Sequence, residues 1–196
     1  MHTKYTTLGF VLEKVPHGEA SSYFSIFTRE FGKVFASAQA VREVKSKLRM
    51  NLEELSFVEV SLVRGKSVWK ITGAKNISSL FGAFRDSSEK LEITAQCSAL
   101  LLRLLHGEEK NDPLFQLLFD AFSYFKSENL TSEEMKNFEI LLVLNILHEL
   151  GYVGNKNEFS EFVGAPSWGS VALSRVALIK KRALSEINRS LLESQL

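Results

Sequence analysis

The residues of this chain best placed to do chemistry are cations. Arg42, Lys45, Lys47 and Arg49 fall within eight residues with only Glu43 against them. That run has too few apolar side chains to be core, and it suits a phosphate surface. Each Lys or Arg that neutralises a phosphate releases counterions, so a handful supplies affinity that ignores base sequence and falls steeply with salt. Arg29, Lys33, Arg64, Lys66 and Lys70 are supporting sites in the same part of the chain. A solvated loop is the bland alternative, stronger for any one of these residues than for the cluster. Tyr23, Phe35 and Trp69 stand near the charge, and bases stack on such rings in barrel proteins that bind single strands. For Phe35 and Trp69, packing in the core is the preferred reading.

No catalytic constellation accompanies these cations. His2, His17, His106 and His148 are scattered, none at metal-ligand spacing with another His or Cys, and no glycine-rich loop ends in Gly-Lys-Ser or Gly-Lys-Thr. The acid pairs Glu53-Glu54, Glu108-Glu109 and Glu133-Glu134 read as solvated or helix-starting charges rather than acid/base couples. His148 reads as a helix-end residue. Cys97 is the sole cysteine, which excludes an internal disulfide and a cysteine zinc site, and its apolar helical setting favours a packed thiol. The expectation is a protein that is not an enzyme and needs no metal or cofactor.

The net charge of +1 conceals an asymmetry. Residues 1–80 hold twelve Lys and Arg against seven Asp and Glu, whereas residues 81–196 hold twelve against sixteen. A positive N-terminal part suits a polyanion, and the acidic remainder suits a different partner. At 196 residues, 45% hydrophobic and 24% charged, the chain is long enough for one large or two small domains and buries about 70% of its unfolded surface. No apolar run approaches the roughly 20 residues of a membrane span, and Met1-His2-Thr3-Lys4 lacks a signal-peptide core. A cytoplasmic protein without membrane contact is expected.

Two kinds of element must position these residues. Through residue 80 the apolar pattern has a period of two: Leu8, Phe10 and Leu12 alternate with Gly9, Val11 and Glu13. A hairpin runs from Tyr23 through a turn at Thr28–Lys33 to Val34, Ala36 and Ala38; Val58, Val60 and Leu62 alternate, and Val68–Thr72 makes a partner strand. Five strands fit, and closing them into a small barrel removes the exposed edges. Periodicity allows an oligonucleotide-binding (OB) barrel and an SH3-like barrel almost equally. Beyond Ile77 the period becomes helical. Ile93, Cys97, Leu100, Leu101, Leu104 and Leu105 share one face; Leu114, Phe115, Leu118, Ala121, Phe122 and Phe125 a second; Phe138, Leu141, Leu142, Asn145 and His148 a third. Asp112-Pro113 starts the second helix, Thr131-Ser132-Glu133-Glu134 offers a capping box for the third, and Gly151 ends it. Residues 155–169 form an irregular connection before a last amphipathic helix bearing Val176, Ile179, Ala183, Ile187 and Leu191.

Several stretches resemble the RecO family of bacterial recombination mediators. They are Gly18-Glu19-Ala20, Phe27-Thr28-Arg29-Glu30-Phe31-Gly32-Lys33, Lys45-Ser46-Lys47-Leu48-Arg49, Leu62-Val63-Arg64-Gly65-Lys66 and Trp69-Lys70-Ile71-Thr72-Gly73-Ala74, in the family's order. The family usually has a glycine before the basic loop, and Gln39-Ala40-Val41 stands here instead. The acidic half is similar to the family at Asp112-Pro113-Leu114-Phe115-Gln116-Leu117-Leu118 and at Ile146-Leu147-His148-Glu149-Leu150-Gly151-Tyr152. Many members carry two cysteine pairs for structural zinc after that point. Gly154-Asn155-Lys156-Asn157-Glu158-Phe159 has none, so a short, zinc-free member lacking the insert near 153–169 is expected.

The resemblance implies an α+β multidomain protein: a five-stranded OB-fold β-barrel over 1–80, followed by an α-helical protein-interaction domain over 81–196. It implies a DNA repair function without turnover: binding single- and double-stranded DNA, annealing complementary strands and, with RecR, helping RecA onto single strands covered by single-stranded DNA-binding protein. The acidic C-terminal tail of that last protein would dock in the helical domain. Such a tail needs an apolar floor and a cationic rim; Phe115, Leu118, Phe138, Leu141 and Leu142 are floor candidates and Lys136 and Arg175 rim candidates, although all five apolar residues sit at core spacing. Lys180-Lys181-Arg182 reads as a solvated helix face. A general RNA- or single-strand-binding OB protein with a helical adaptor is the alternative.

Overall fold

The computed structural model describes residues 3–154, 158–164 and 166–194. His2 and Asn155-Lys156-Asn157 lie outside the described residues, so the expectations resting on them have no structural counterpart. Five strands come first: β1 (Lys4–His17), β2 (Ser21–Thr28), β3 (Gly32–Ala38), β4 (Ser56–Arg64) and β5 (Trp69–Ser79). Five helices follow: α1 (Leu80–Phe84), α2 (Ser88–Leu104), α3 (Asp112–Ser127), α4 (Ser132–Glu149) and α5 (Ser170–Glu193). The chain divides into two compact units, Met1–Asp112 and Pro113–Leu196.

In the first unit the strands form a five-stranded sheet whose order, β1-β2-β3-β5-β4, closes back on β1. The ring is uneven. Antiparallel ladders join every neighbouring pair except β3 and β5, which meet in parallel through only Ala36↔Trp69 and Ser37↔Lys70. Its interior is filled by Val11, Phe24, Ile26, Val34, Ala36, Val58 and Val60, all fully buried. At about 1.5–3 kcal/mol for each large apolar side chain removed from water, this cluster is the main local source of stability.

β1 departs from the expected one-sided alternation. Val11 belongs to the interior, so its neighbour Phe10 points outward, yet Phe10 is also fully buried. Phe10 stacks on Phe57 with ring centroids 4.7 Å apart, and α2 lies against β1, where Ser98 donates to the Leu12 carbonyl at 2.8 Å. Covering one strand on both faces erases the period of two.

The loop from Gln39 to Leu55 joins β3 to β4. Val41 and Leu52 are fully buried and anchor it to the interior cluster. Between those anchors the backbone folds through successive turns, with bonds from Glu43, Ser46 and Arg49 amides to the carbonyls of Ala40, Glu43 and Ser46. Within Gln39-Ala40-Val41, where glycine is usual in the resembled family, Ala40 takes φ +53°, the left-handed region that glycine favours.

In the second unit α3 and α4 bury Phe115, Leu118, Phe122, Phe125, Phe138 and Leu142; Phe125 and Phe138 stack at 4.2 Å. The expected capping box is present, with Thr131 and Glu134 exchanging bonds at the start of α4. Gly151, at φ +80°, ends that helix. Asn145, fully buried, donates to the carbonyls of Leu141 and Phe162 and accepts from the Gly164 amide, which pins the segment after α4 against the helix. On α5, Leu173, Val176, Ala183 and Ile187 are buried, while Ile179 and Leu191 are half-buried.

Candidate nucleic-acid interface

The nine candidate cations of the first unit separate into two groups. Lys45, Lys47 and Arg49 are exposed on the turns between Val41 and Leu52. Arg42 is exposed as well, but its Nη1 donates to the Gly18 carbonyl at 3.0 Å and its amide to Ala20 at 2.8 Å. These bonds fasten the loop's root to the β1–β2 turn. Lys66 and Lys70 are exposed and line a groove of about 550 Å³ at the β4–β5 connection, together with Arg64, Gly65 and Val68.

Arg29 and Arg64 are committed to a strap, residues 105–112, that leads from α2 across one end of the ring, and the Lys33 side chain is committed to the end of α2 itself. Arg29 Nε donates to Asp112 Oδ1 at 2.5 Å. That hydrogen bond, with the attraction of the guanidinium, holds the Asp112 carboxyl below its ordinary range and raises Arg29. Lys33 Nζ donates to the Leu102 carbonyl at 2.7 Å and its amide to Gly107 at 3.1 Å; burial pushes its pKa down. Arg64 donates to Glu108 at 2.6 Å and lies 5.0 Å over the Trp69 ring. Trp69 Nε1 donates to the other oxygen of Glu108 at 2.8 Å.

Glu108 is therefore not a merely solvated charge, because its carboxylate joins Arg64 and Trp69 across the end of the ring. Gly32 makes this approach possible: at φ +68° it lies directly under the strap, and a methyl there would overlap the Glu109 backbone. Lys110 adds a bond to Glu30 at 3.0 Å. Of the other acid pairs, Glu54 accepts from the Lys14 amide at 2.8 Å, while Glu134 serves the start of α4.

The aromatic expectations divide. Trp69 is 4% exposed and packs edge-on against Tyr5 and beside Phe31. Phe35, expected in the core, is instead 46% exposed. The pattern already contained the reason: Val34, Ala36 and Ala38 point inward on alternate positions, so Phe35 between them faces out. It stacks on Tyr23 at 4.9 Å, and Tyr23 in turn meets His17 at 4.6 Å, a contact that sequence spacing does not reveal.

In the second unit, Phe115, Leu118, Phe138 and Leu142 are buried among α3 and α4 and offer no open floor. Leu141 and Arg175 do come together. They line a pocket of about 210 Å³ with Phe162, Pro166, Val171 and Ala172. Arg175 pairs with Glu161 and lies 5.8 Å over the Phe162 ring, its side chain half exposed. Lys136 is exposed on α4 and is not among the lining residues. Among the described residues no group of three or more His, Cys, Asp and Glu is arranged to hold a metal ion, and no helix is long and apolar enough to cross a membrane.

Comparison with known proteins gives concordant results. Residues 1–80 match the family described as "Recombination protein O N terminal". A protein of Dehalococcoides mccartyi strain CBDB1 named "DNA repair protein RecO" is 32% identical over 148 residues, 76% of this chain and 56% of that protein. Proteins of the same name from Alkaliphilus metalliredigens and Rubrobacter xylanophilus are 28% and 31% identical, over 70% and 60% of this chain and 56% and 46% of theirs. The chain spans about half the length of the curated relatives it matches.

Proposed function

Because the chain belongs to the RecO family, through an N-terminal domain matched over residues 1–80, we propose that it is a DNA-repair mediator that binds DNA through the cations of its first unit. In this reading the five-stranded ring is an OB-fold. Its strand order and the long β3–β4 connection, which carries Arg42, Lys45, Lys47 and Arg49, support that assignment.

The observation that carries the reading is the set Lys45, Lys47 and Arg49: exposed, on turns held by Val41 and Leu52, with no internal carboxylate engaging them among the described residues. Strand annealing follows from sequence-independent phosphate binding, which lowers the repulsion between two polyanions. Mediation, with RecR aiding RecA, is then competition among binding free energies, without turnover.

The pocket at Leu141 and Arg175 is the proposed seat for the acidic tail of single-stranded DNA-binding protein. A carboxylate replaces Glu161 on Arg175, and an apolar terminus enters beside Phe162 and Val171.

Two titrations test these proposals. A labelled single-stranded oligonucleotide is expected to bind with affinity that falls as salt rises, and absence of binding at low salt would remove the DNA-binding reading. A labelled acidic-tail peptide is expected to bind the native chain and to lose binding on Arg175→Glu; a native chain that ignores the peptide would remove the tail reading.

A further inference from the structure

We propose that the outer face of β2 and β3 is a stacking platform for the unpaired bases of single-stranded DNA, with Phe35 and Tyr23 as its rings and His17 as its edge. The proposal rests on the DNA-binding reading above and deepens it, because phosphate-binding cations alone do not distinguish a single strand from a duplex.

Three observations carry it. First, the rings form one ladder across three strands: His17 on β1 tilts against Tyr23 on β2 at 4.6 Å, and Tyr23 stacks on Phe35 of β3 at 4.9 Å with planes 20° apart. Second, the ladder is surplus to the core. Phe24, Val34 and Ala36, on the opposite face of the same strands, are fully buried and fill the ring, whereas Phe35 remains 46% exposed. Val15, in register with Tyr23, is 42% exposed. An apolar surface of this kind, bordered by charge, marks a site of association.

Third, cations flank the ladder on both sides. The basic loop is rooted by Arg42 on the turn that follows His17, through bonds to the carbonyls of Gly18 and Ala20. On the other side, Tyr23 is in register with Ser37 and Ser37 with Lys70. Residues in register point to the same face, so the exposed Lys70 lies two strands from Tyr23 at the margin of the platform. Glu13 shares this face in the row of Phe35, through Ser25, and its carboxylate is engaged, accepting from Ser25 at 3.4 Å and interacting with Lys33.

A strand laid over the rings places its phosphates near Arg42 or Lys70 while its bases meet π faces. Every base has such a face, so the contact tolerates any sequence. In a duplex those faces are occupied by neighbouring base pairs. The loop cations therefore serve both forms of DNA, and the platform serves only the single strand.

The test compares three probes at one salt concentration: a labelled oligothymidine, a strand of equal length and charge made of abasic deoxyribose phosphates, and a duplex. The native chain is expected to bind oligothymidine at least about fivefold more tightly than the abasic strand. Phe35→Ala or Tyr23→Ala should abolish that preference and leave duplex and abasic binding unchanged; Phe35→Leu, which keeps apolar area without a ring, should also lose it. Equal affinity of the native chain for thymidine and abasic strands would overturn the platform while leaving the phosphate-binding reading in place. Failure of all three probes to bind would remove both.

Discussion

Replacing Lys45, Lys47 and Arg49 together by Ala removes three exposed candidate cations from the β3–β4 loop and leaves Lys66 and Lys70, also exposed, in place. Each phosphate contact on a single strand contributes about 0.7 to the slope of log affinity against log salt. Three contacts amount to a slope of about 2. Between about 50 and 200 mM salt that slope corresponds to a roughly 18-fold loss of affinity in the native protein that the triple variant would not show. The necessary comparison is Arg29→Ala with Lys33→Ala, since these two are bonded to Asp112 and to the Leu102 carbonyl. That pair should shift the slope by less than about 0.5, because neither side chain is available to exchange a counterion for a phosphate. Fluorescence anisotropy of a labelled oligonucleotide at five or more salt concentrations gives both slopes directly. An unchanged slope in the triple variant, or an equal change in the Arg29 and Lys33 variant, would refute the division of the cations into loop and strap groups.

Three further predictions concern the scaffold. Ala40→Gly should stabilise the fold by about 0.5–1 kcal/mol, the left-handed cost of about 1–2 kcal/mol less the extra freedom glycine has when unfolded; denaturant melting reads it, and a lower midpoint would contradict the strain at φ +53°. Gly32→Ala should destabilise by at least about 2 kcal/mol, since φ +68° is retained only with strain and the methyl must displace the Glu109 backbone; an unchanged midpoint would mean that the strap does not need that approach. Asp112→Asn tests the Arg29 pair by pH. The folded carboxyl lies below its unfolded value of about 3.9, so its contribution is full above that value and disappears as pH falls through the folded one. The native protein should therefore lose stability more steeply than the variant as pH falls below about 4, and parallel acid melts would contradict this.

Much of the scaffold was legible because it is local. The Tyr23 hairpin, the capping box at Thr131 and the glycine stop at Gly151 each follow from residues within a few positions of one another, and the structure contains all three. Five strands followed by helices were legible from the change of period near residue 80. What escaped the sequence depends on long-range packing. The double burial of β1 arises because α2 lies against it, with Ser98 bonded to the Leu12 carbonyl across 86 positions.

The strap escaped for the same reason: Glu108 meets Arg64 and Trp69 across 44 and 39 positions, and an acid pair carries no mark of its distant partner. These contacts change the candidate site, because Arg29, Lys33 and Arg64 look identical to Lys45 or Arg49 in composition yet are spent on the strap and on the end of α2. Phe35 escaped for another reason. The alternation of Val34, Ala36 and Ala38 dictates an outward ring, against the general tendency of phenylalanine toward the core.

The central claim is that DNA lies on the β3–β4 loop and not on the strap. Hydrogen–deuterium exchange of the chain with and without a saturating single-stranded oligonucleotide tests it most directly. Slower exchange confined to amides of residues 41–52 and the neighbouring ends of β2 and β3, with residues 105–112 unaffected, is the predicted result. Protection at 105–112 with none at 41–52 would contradict the account.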